Sequence, residues 1–280
     1  MRTATAILLS CLLVGLSNTT AVAQTEKDEW SVYNANVTAT AGTMTLHDDY
    51  LSPLDHYGWK VQLNFDYGRF FQSQPDCLAW YNRWNVGYGE VINRSGTVRL
   101  NTVSVSGAYG ARYFFYPIKH FEVAVGGVAT ADFMVKFGSR NVNNPASGDG
   151  SLTIGAAAHI GYLVEHNRFL MKLSYDMETP LLGAMFVPEM GESYYEMWLG
   201  NLHNVAHFAS VHNNLAIRGN VNVDFILKHC TLRLQMQHYQ AAWHANNLRF
   251  RRSELMGGIG FVTYFKSLSG KQLYDYATGI

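Results

Sequence analysis

The stretch FEVAVGGVATADFMVKF, residues 121–137, decides the fold class. Phe121, Val123, Val125, Ala129, Ala131, Phe133, Val135 and Phe137 share one parity, and Glu122, Ala124, Gly126, Thr130, Asp132 and Lys136 share the other. Successive side chains of a β-strand point to opposite faces, so this spacing makes one apolar and one polar face. The run is also long. An ordinary strand has about 5–6 residues, whereas crossing a bilayer at a tilt takes roughly 9–11.

The same alternation recurs outward from this stretch in both directions. Trp59, Val61, Leu63, Phe65 and Tyr67 interleave with Lys60, Gln62, Asn64 and Asp66. Leu152 to Val164 and Phe169 to Met177 flank a tight turn at Glu165 to Arg168, and Leu215, Ile217, Val221, Val223, Phe225 and Leu227 oppose Arg218, Asn220, Asn222 and Asp224. No helical 3.6-residue period competes over a comparable length. Connections read as alternately short and long: 117–120, 165–168 and 228–230 are short, while His47 to Tyr57, Gly138 to Gly150 and Thr179 to Asn213 are long. Aromatic residues crowd the ends of the runs, as in Tyr113-Phe114-Phe115-Tyr116 and Tyr264-Phe265. Such rings favour the headgroup level of a membrane.

The chain therefore reads as all-β, an antiparallel transmembrane β-barrel of about ten strands. They are expected near 31–45, 58–71, 79–90, 99–116, 120–137, 151–165, 168–178, 214–227, 231–242 and 254–265. In the third, Asn82 interrupts the lipid-facing parity. A further pair hidden between Thr179 and Asn213 would make twelve. An even count puts both termini on the periplasmic side.

The first residues read as a targeting segment. Arg2 gives a positive start, Ala6 to Leu16 an apolar stretch, and Ala21-Val22-Ala23 a small-x-small cleavage signal. Leu8 to Cys11 resembles a lipoprotein box, but cutting there would strand Leu12 to Leu16 on the product. The expected organisation is a cleaved signal peptide at 1–23, an outer-membrane barrel over 24–265 and a periplasmic tail at 266–280. The expected location is the outer membrane of a Gram-negative bacterium after Sec-dependent export. Lys and Arg total 21 and Asp and Glu total 21, without any basic run, which removes the electrostatic footprint of a nucleic-acid binder. Beyond the signal there is no apolar run of the 18 or so residues that a membrane helix needs. Cys77 and Cys230 fall near turns of distant strand pairs and read as two unrelated thiols.

The inward parity carries Lys60, Asp66, Arg112, Glu122, Asp132, Lys136, Lys172, Asp176, Glu178, Arg218, Asp224 and Arg233, beside small residues such as Ser104, Ala108, Gly126 and Ala157. Buried charges must be paired, which suggests a plug of ion pairs. A narrow wet pore of mixed charge is the alternative.

The aromatic segment Ser193 to Asn201 leads into His203, His207, Ser210 and His212. A nucleophile site would use Ser210, with His207 or His212 as base and Glu196 as orienter. Outer-membrane lipid hydrolases carry His-x-Ser, however, and this chain has the reverse, Ser210-Val211-His212. A metal at His203 and His207 lacks a third ligand at convincing spacing. The remaining reading is a polar loop over the barrel mouth. No cofactor or metal site is expected. The expected partners are outer-membrane lipids and an extracellular or envelope partner at the Thr179–Asn213 loop.

Tyr50-Leu51-Ser52-Pro53-Leu54-Asp55-His56-Tyr57-Gly58 resembles a segment of an uncharacterised family of Bacteroidota outer-membrane proteins. Ser193 to Asn201, His207 to Asn213, Leu215 and Arg218 are similar to that family as well. The resemblance implies a barrel in the outer membrane and supplies no catalytic residue. The functional expectation is a structural or binding barrel of unknown specific activity, with a plugged lumen and a long extracellular loop. A lipid- or envelope-modifying hydrolase at Ser210 and a narrow pore for small polar solutes are the alternatives.

Overall fold

The computed structural model describes residues 33–71, 74–138, 146–166, 169–190, 194, 197, 199–200, 204–227 and 230–265. The expected signal peptide, the tail at 266–280, and Glu196 and His203 lie outside the described residues. The strands are β1 (Tyr33–Asp48), β2 (Ser52–Phe71), β3 (Gln74–Asn93), β4 (Arg99–Ile118), β5 (Phe121–Gly138), β6 (Ala146–His166), β7 (Phe169–Phe186), β8 (Ala206–Ser210), β9 (Asn214–Ile226), β10 (Thr231–Ala245) and β11 (Leu248–Phe265). All pairings are antiparallel. The order runs β6-β5-β4-β3-β2-β1-β11-β10-β9-β7, and a β6–β7 pairing closes the ring. β8 pairs only with the upper part of β7. The barrel therefore has ten strands, one for each expected run, and β8 pairs with β7 in line with β9, extending that place in the ring rather than adding a pair.

Parity explains which face points where. Val125, Phe133, Trp84 and Ile259 face outward at 51%, 51%, 55% and 67% exposure, while Lys136, Lys60 and Glu254 face inward at 0%, 1% and 4%. A water-soluble barrel buries its apolar residues, and this one does the reverse over most of its height. The register agrees: in β4–β5, Ser106 pairs with Asp132 on the inside and Val105 with Phe133 on the outside.

The strands run past the apolar band at the end away from the termini, and here the expected boundaries need correcting. His47 to Tyr57 is not a long loop. β1 continues to Asp48, a tight turn bonds Leu51 N–H to the Asp48 carbonyl at 3.1 Å, and β2 resumes at Ser52. Pro53 suggests a loop, yet it occupies the second residue of β2, beyond the last β2–β3 pair at His56 and Asn93. There its missing N–H costs the β2–β3 ladder no bond. The connection at Thr179–Asn213 also shrinks, because β7 runs through Pro180 to Phe186. A register shift between Ile154 and Gly155 absorbs the proline. A Cβ on Gly155 would lie 2.0 Å from the Thr179 carbonyl, so this crossing needs glycine. Alternation between short and long connections is accordingly weaker than expected. At the same end, β10 and β11 meet in a two-residue hairpin whose Asn246 and Asn247 both have positive φ, 51° and 58°. Cys77 and Cys230 are both free thiols.

Candidate functional site

The lumen is layered. Nearest the far end, Met44, Leu46, Val91, Leu100, Met134 and Phe250 form an apolar core inside the barrel, with Trp243 stacked on Phe250 at 5.0 Å and 6°. Beside it Lys136 lies between Asp48 and Asp149, bonded to both.

One layer deeper, Lys60 Nζ donates to Glu254 Oε1 at 2.9 Å and Arg252 Nε to the same oxygen at 2.6 Å. Arg218 reaches Asp132 at 3.1 Å, and the Tyr239 ring lies between the guanidinium groups of Arg218 and Arg252, at 4.4 and 4.8 Å. Below this comes a layer of amides. Gln62 donates to Gln237 at 2.8 Å, Asn64 to Gln235 at 3.3 Å and Gln235 to Asn222 at 2.9 Å. The first two bonds reach from β2 to β10 across the inner faces of β1 and β11, and the third continues to β9.

The terminal half differs. Arg83 pairs with Glu178 at 2.6 Å, and Arg112 pairs with Asp176 while lying 4.0 Å over the Tyr81 ring. His159 sits between two carboxylates, Nδ1 at 2.9 Å from Asp176 and Nε2 at 2.8 Å from Glu122. Lys172 also contacts Glu122. Below these pairs lies a cavity of about 830 Å³. Its wall carries Phe70, Phe114 and Tyr116 on one side and Asp66, Asp224 and Arg233 on another. This volume lies in the range of small-molecule sites, roughly 300–1,000 Å³.

The loop constellation is partly assembled. Ser210 Oγ contacts His212 Nδ1 in the turn after β8, with Ser210 N–H held by Asn213 Oδ1 at 2.8 Å. His207 points to the other face of β8 and bonds the Val187 carbonyl at 3.2 Å, so it does not join Ser210. Glu196, the expected orienter, lies outside the described residues. Among the described residues no group of three His, Cys, Asp or Glu is placed to hold a metal. The loop reading passed over His159. Its signal was available, since His159 stands two residues after the inward Ala157 and so shares its face.

A family model described as a protein of unknown function, DUF3316, matches residues 6–272. No curated protein matches the chain. Among solved structures, the outer membrane protease OmpT from Escherichia coli is similar with a TM-score of 0.52 at 6% identity, covering 88% of this chain and 100% of that one. The transport unit of the autotransporter AIDA-I from Escherichia coli has a TM-score of 0.43 at 6% identity, covering 88% and 94%. An outer membrane channel from Pseudomonas putida F1 has 0.36 at 10%, covering 87% and 100%. At such identities only the fold carries across, and only from the first.

Proposed function

The chain belongs to the DUF3316 family, whose function is unknown, and on that premise we propose a non-conducting outer-membrane barrel that acts as a structural or binding protein. The apolar outer face supports the membrane. An exposed belt of Trp59, Trp84, Tyr109, Phe133, Ile154, Ile259 and Phe261 is far too extensive for water. With the termini in the periplasm, the 830 Å³ cavity opens to the periplasm and the apolar core faces outside.

One observation carries the closed lumen: the charge and amide layers beneath that core are buried and bonded to one another, with Lys60, Gln237, Asn64 and Lys136 at 0–2% exposure. A conducting pore would leave such groups wet. Planar-bilayer recording tests this. The purified barrel should give no steady open-channel current, and a reproducible current would favour the narrow pore instead. Outer loops remain the proposed surface for an envelope or extracellular partner.

The Ser210–His212 contact favours a second reading, an outer-membrane lipid or envelope-modifying hydrolase. Its nucleophile and base would sit beside the exposed Phe208, Val211 and Leu215. Against it, nothing described orients His212 from its second nitrogen. Comparing lipid A and phospholipid profiles of wild type, a deletion strain and Ser210→Ala decides. Unchanged profiles in all three exclude the enzyme.

A further inference from the structure

We infer that the periplasmic cavity is a binding site for a neutral oligosaccharide. This rests on the closed lumen proposed above, which makes the cavity a one-ended pocket rather than a channel mouth. A barrel that conducts yet still binds sugar would overturn the former reading and leave the latter.

The lining selects the chemistry. Four of its cations are paired within the wall: Arg83 with Glu178, Arg112 with Asp176, Arg233 with Asp224, and Lys172 with Glu122, while Arg69 and the exposed Lys119 also line it. A phosphate or carboxylate ligand would have to displace a carboxylate from any of these four, and an exposed lysine such as Lys119 holds an anion only weakly. A purely apolar ligand would cover the wall and leave unbonded the donors and acceptors that the pairing of its carboxylates, guanidinium groups and amides does not use. A ligand that both donates and accepts hydrogen bonds, and carries no net charge, meets neither cost. Sugar hydroxyls do both, and planar carboxylate, guanidinium and amide groups match their vicinal spacing.

The aromatic side of the pocket supplies the other half of the recognition. Phe114 stacks on Tyr116 with centroids 6.4 Å apart and 20° between planes, and leans on Phe70 at 5.3 Å. Tyr116 is exposed and Phe114 half-exposed, and Phe70, Phe114 and Tyr116 all line the cavity. Ring faces present a flat apolar surface to the C–H face of a pyranose while the opposite wall engages its hydroxyls. Pocket size fits a short oligosaccharide rather than a single small ion.

Titration calorimetry on the purified full-length barrel in detergent tests the inference, with chitotetraose, maltotetraose, inorganic phosphate and a neutral tetrapeptide as separate titrants. At least one of the two sugars should bind saturably, and phosphate and peptide should not. Phe114→Ala should weaken the sugar by roughly tenfold or more. Tyr116→Ala, at the exposed rim, repeats the test without disturbing the interior, and a heat-modifiability gel shows that each variant is folded. Binding of phosphate or peptide alone, binding of no titrant, or sugar affinity unchanged in both folded variants would each overturn the assignment.

Discussion

Lys136 shows what single residues do in this lumen. It is fully buried with two carboxylates, Asp48 and Asp149, bonded to its ammonium group. Removing one partner of a buried ion pair costs about 3–5 kcal/mol, whereas replacing the whole set with neutral groups is far milder. Lys136→Met should therefore lower stability by about that amount in urea refolding, and adding Asp48→Asn and Asp149→Asn should recover most of it. Many inward charges were legible because parity alone assigns them, but Arg83, Arg252 and Glu254, which complete the buried pairs, were not among those expected. Their pairing was not, since Lys60 meets Glu254 across 194 residues of chain. The Ser210–His212 contact was legible for the opposite reason, being local.

Elements were readable wherever one face was apolar and the other polar. All ten expected runs correspond to ring strands, with β5 nearly coincident with its expected bounds. The misplaced boundaries share one physical cause. Towards the end away from the termini β1 and β2 carry mixed residues on both faces, and β7 carries only apolar residues and glycine from Pro180 to Phe186, so alternation fades while the backbone ladder continues. Orientation is open to test. Val125 is 51% exposed on the outer face, whereas Thr130 points inward and bonds Thr153 at 2.7 Å. Arginine on the lipid face near mid-bilayer costs about 2–4 kcal/mol, so Val125→Arg should impair refolding more than Thr130→Arg. Equal tolerance would contradict the register. The loop after β7 is fastened by Tyr194, whose hydroxyl accepts from Gly148 N–H at 2.7 Å and donates to its carbonyl at 2.9 Å. Burial holds that phenol above its ordinary value. Tyr194→Phe should speed proteolysis of the loop on intact cells without changing the barrel's heat-modifiability; an unchanged rate would deny the fastening.

As a whole the molecule inverts the usual distribution, polar within and apolar without, except at the end away from the termini. There Met44, Leu46, Val91, Leu100, Met134 and Phe250 build a conventional core. That core was hidden in the sequence, because its residues sit on the inward parity among charged neighbours and nothing in the spacing marks where the barrel leaves the membrane. Where the outer face stops being apolar, the inner face can become so. Both the lipid-facing surface and the proposed closed lumen require that the chain close into a barrel within the outer membrane. The most direct measurement fractionates the envelope of cells expressing the full chain and runs the fractions on a gel with and without boiling. Recovery in the outer membrane, with a faster-running band when unboiled, is the predicted result. Recovery in the soluble periplasmic fraction, with the same mobility boiled or not, would contradict it.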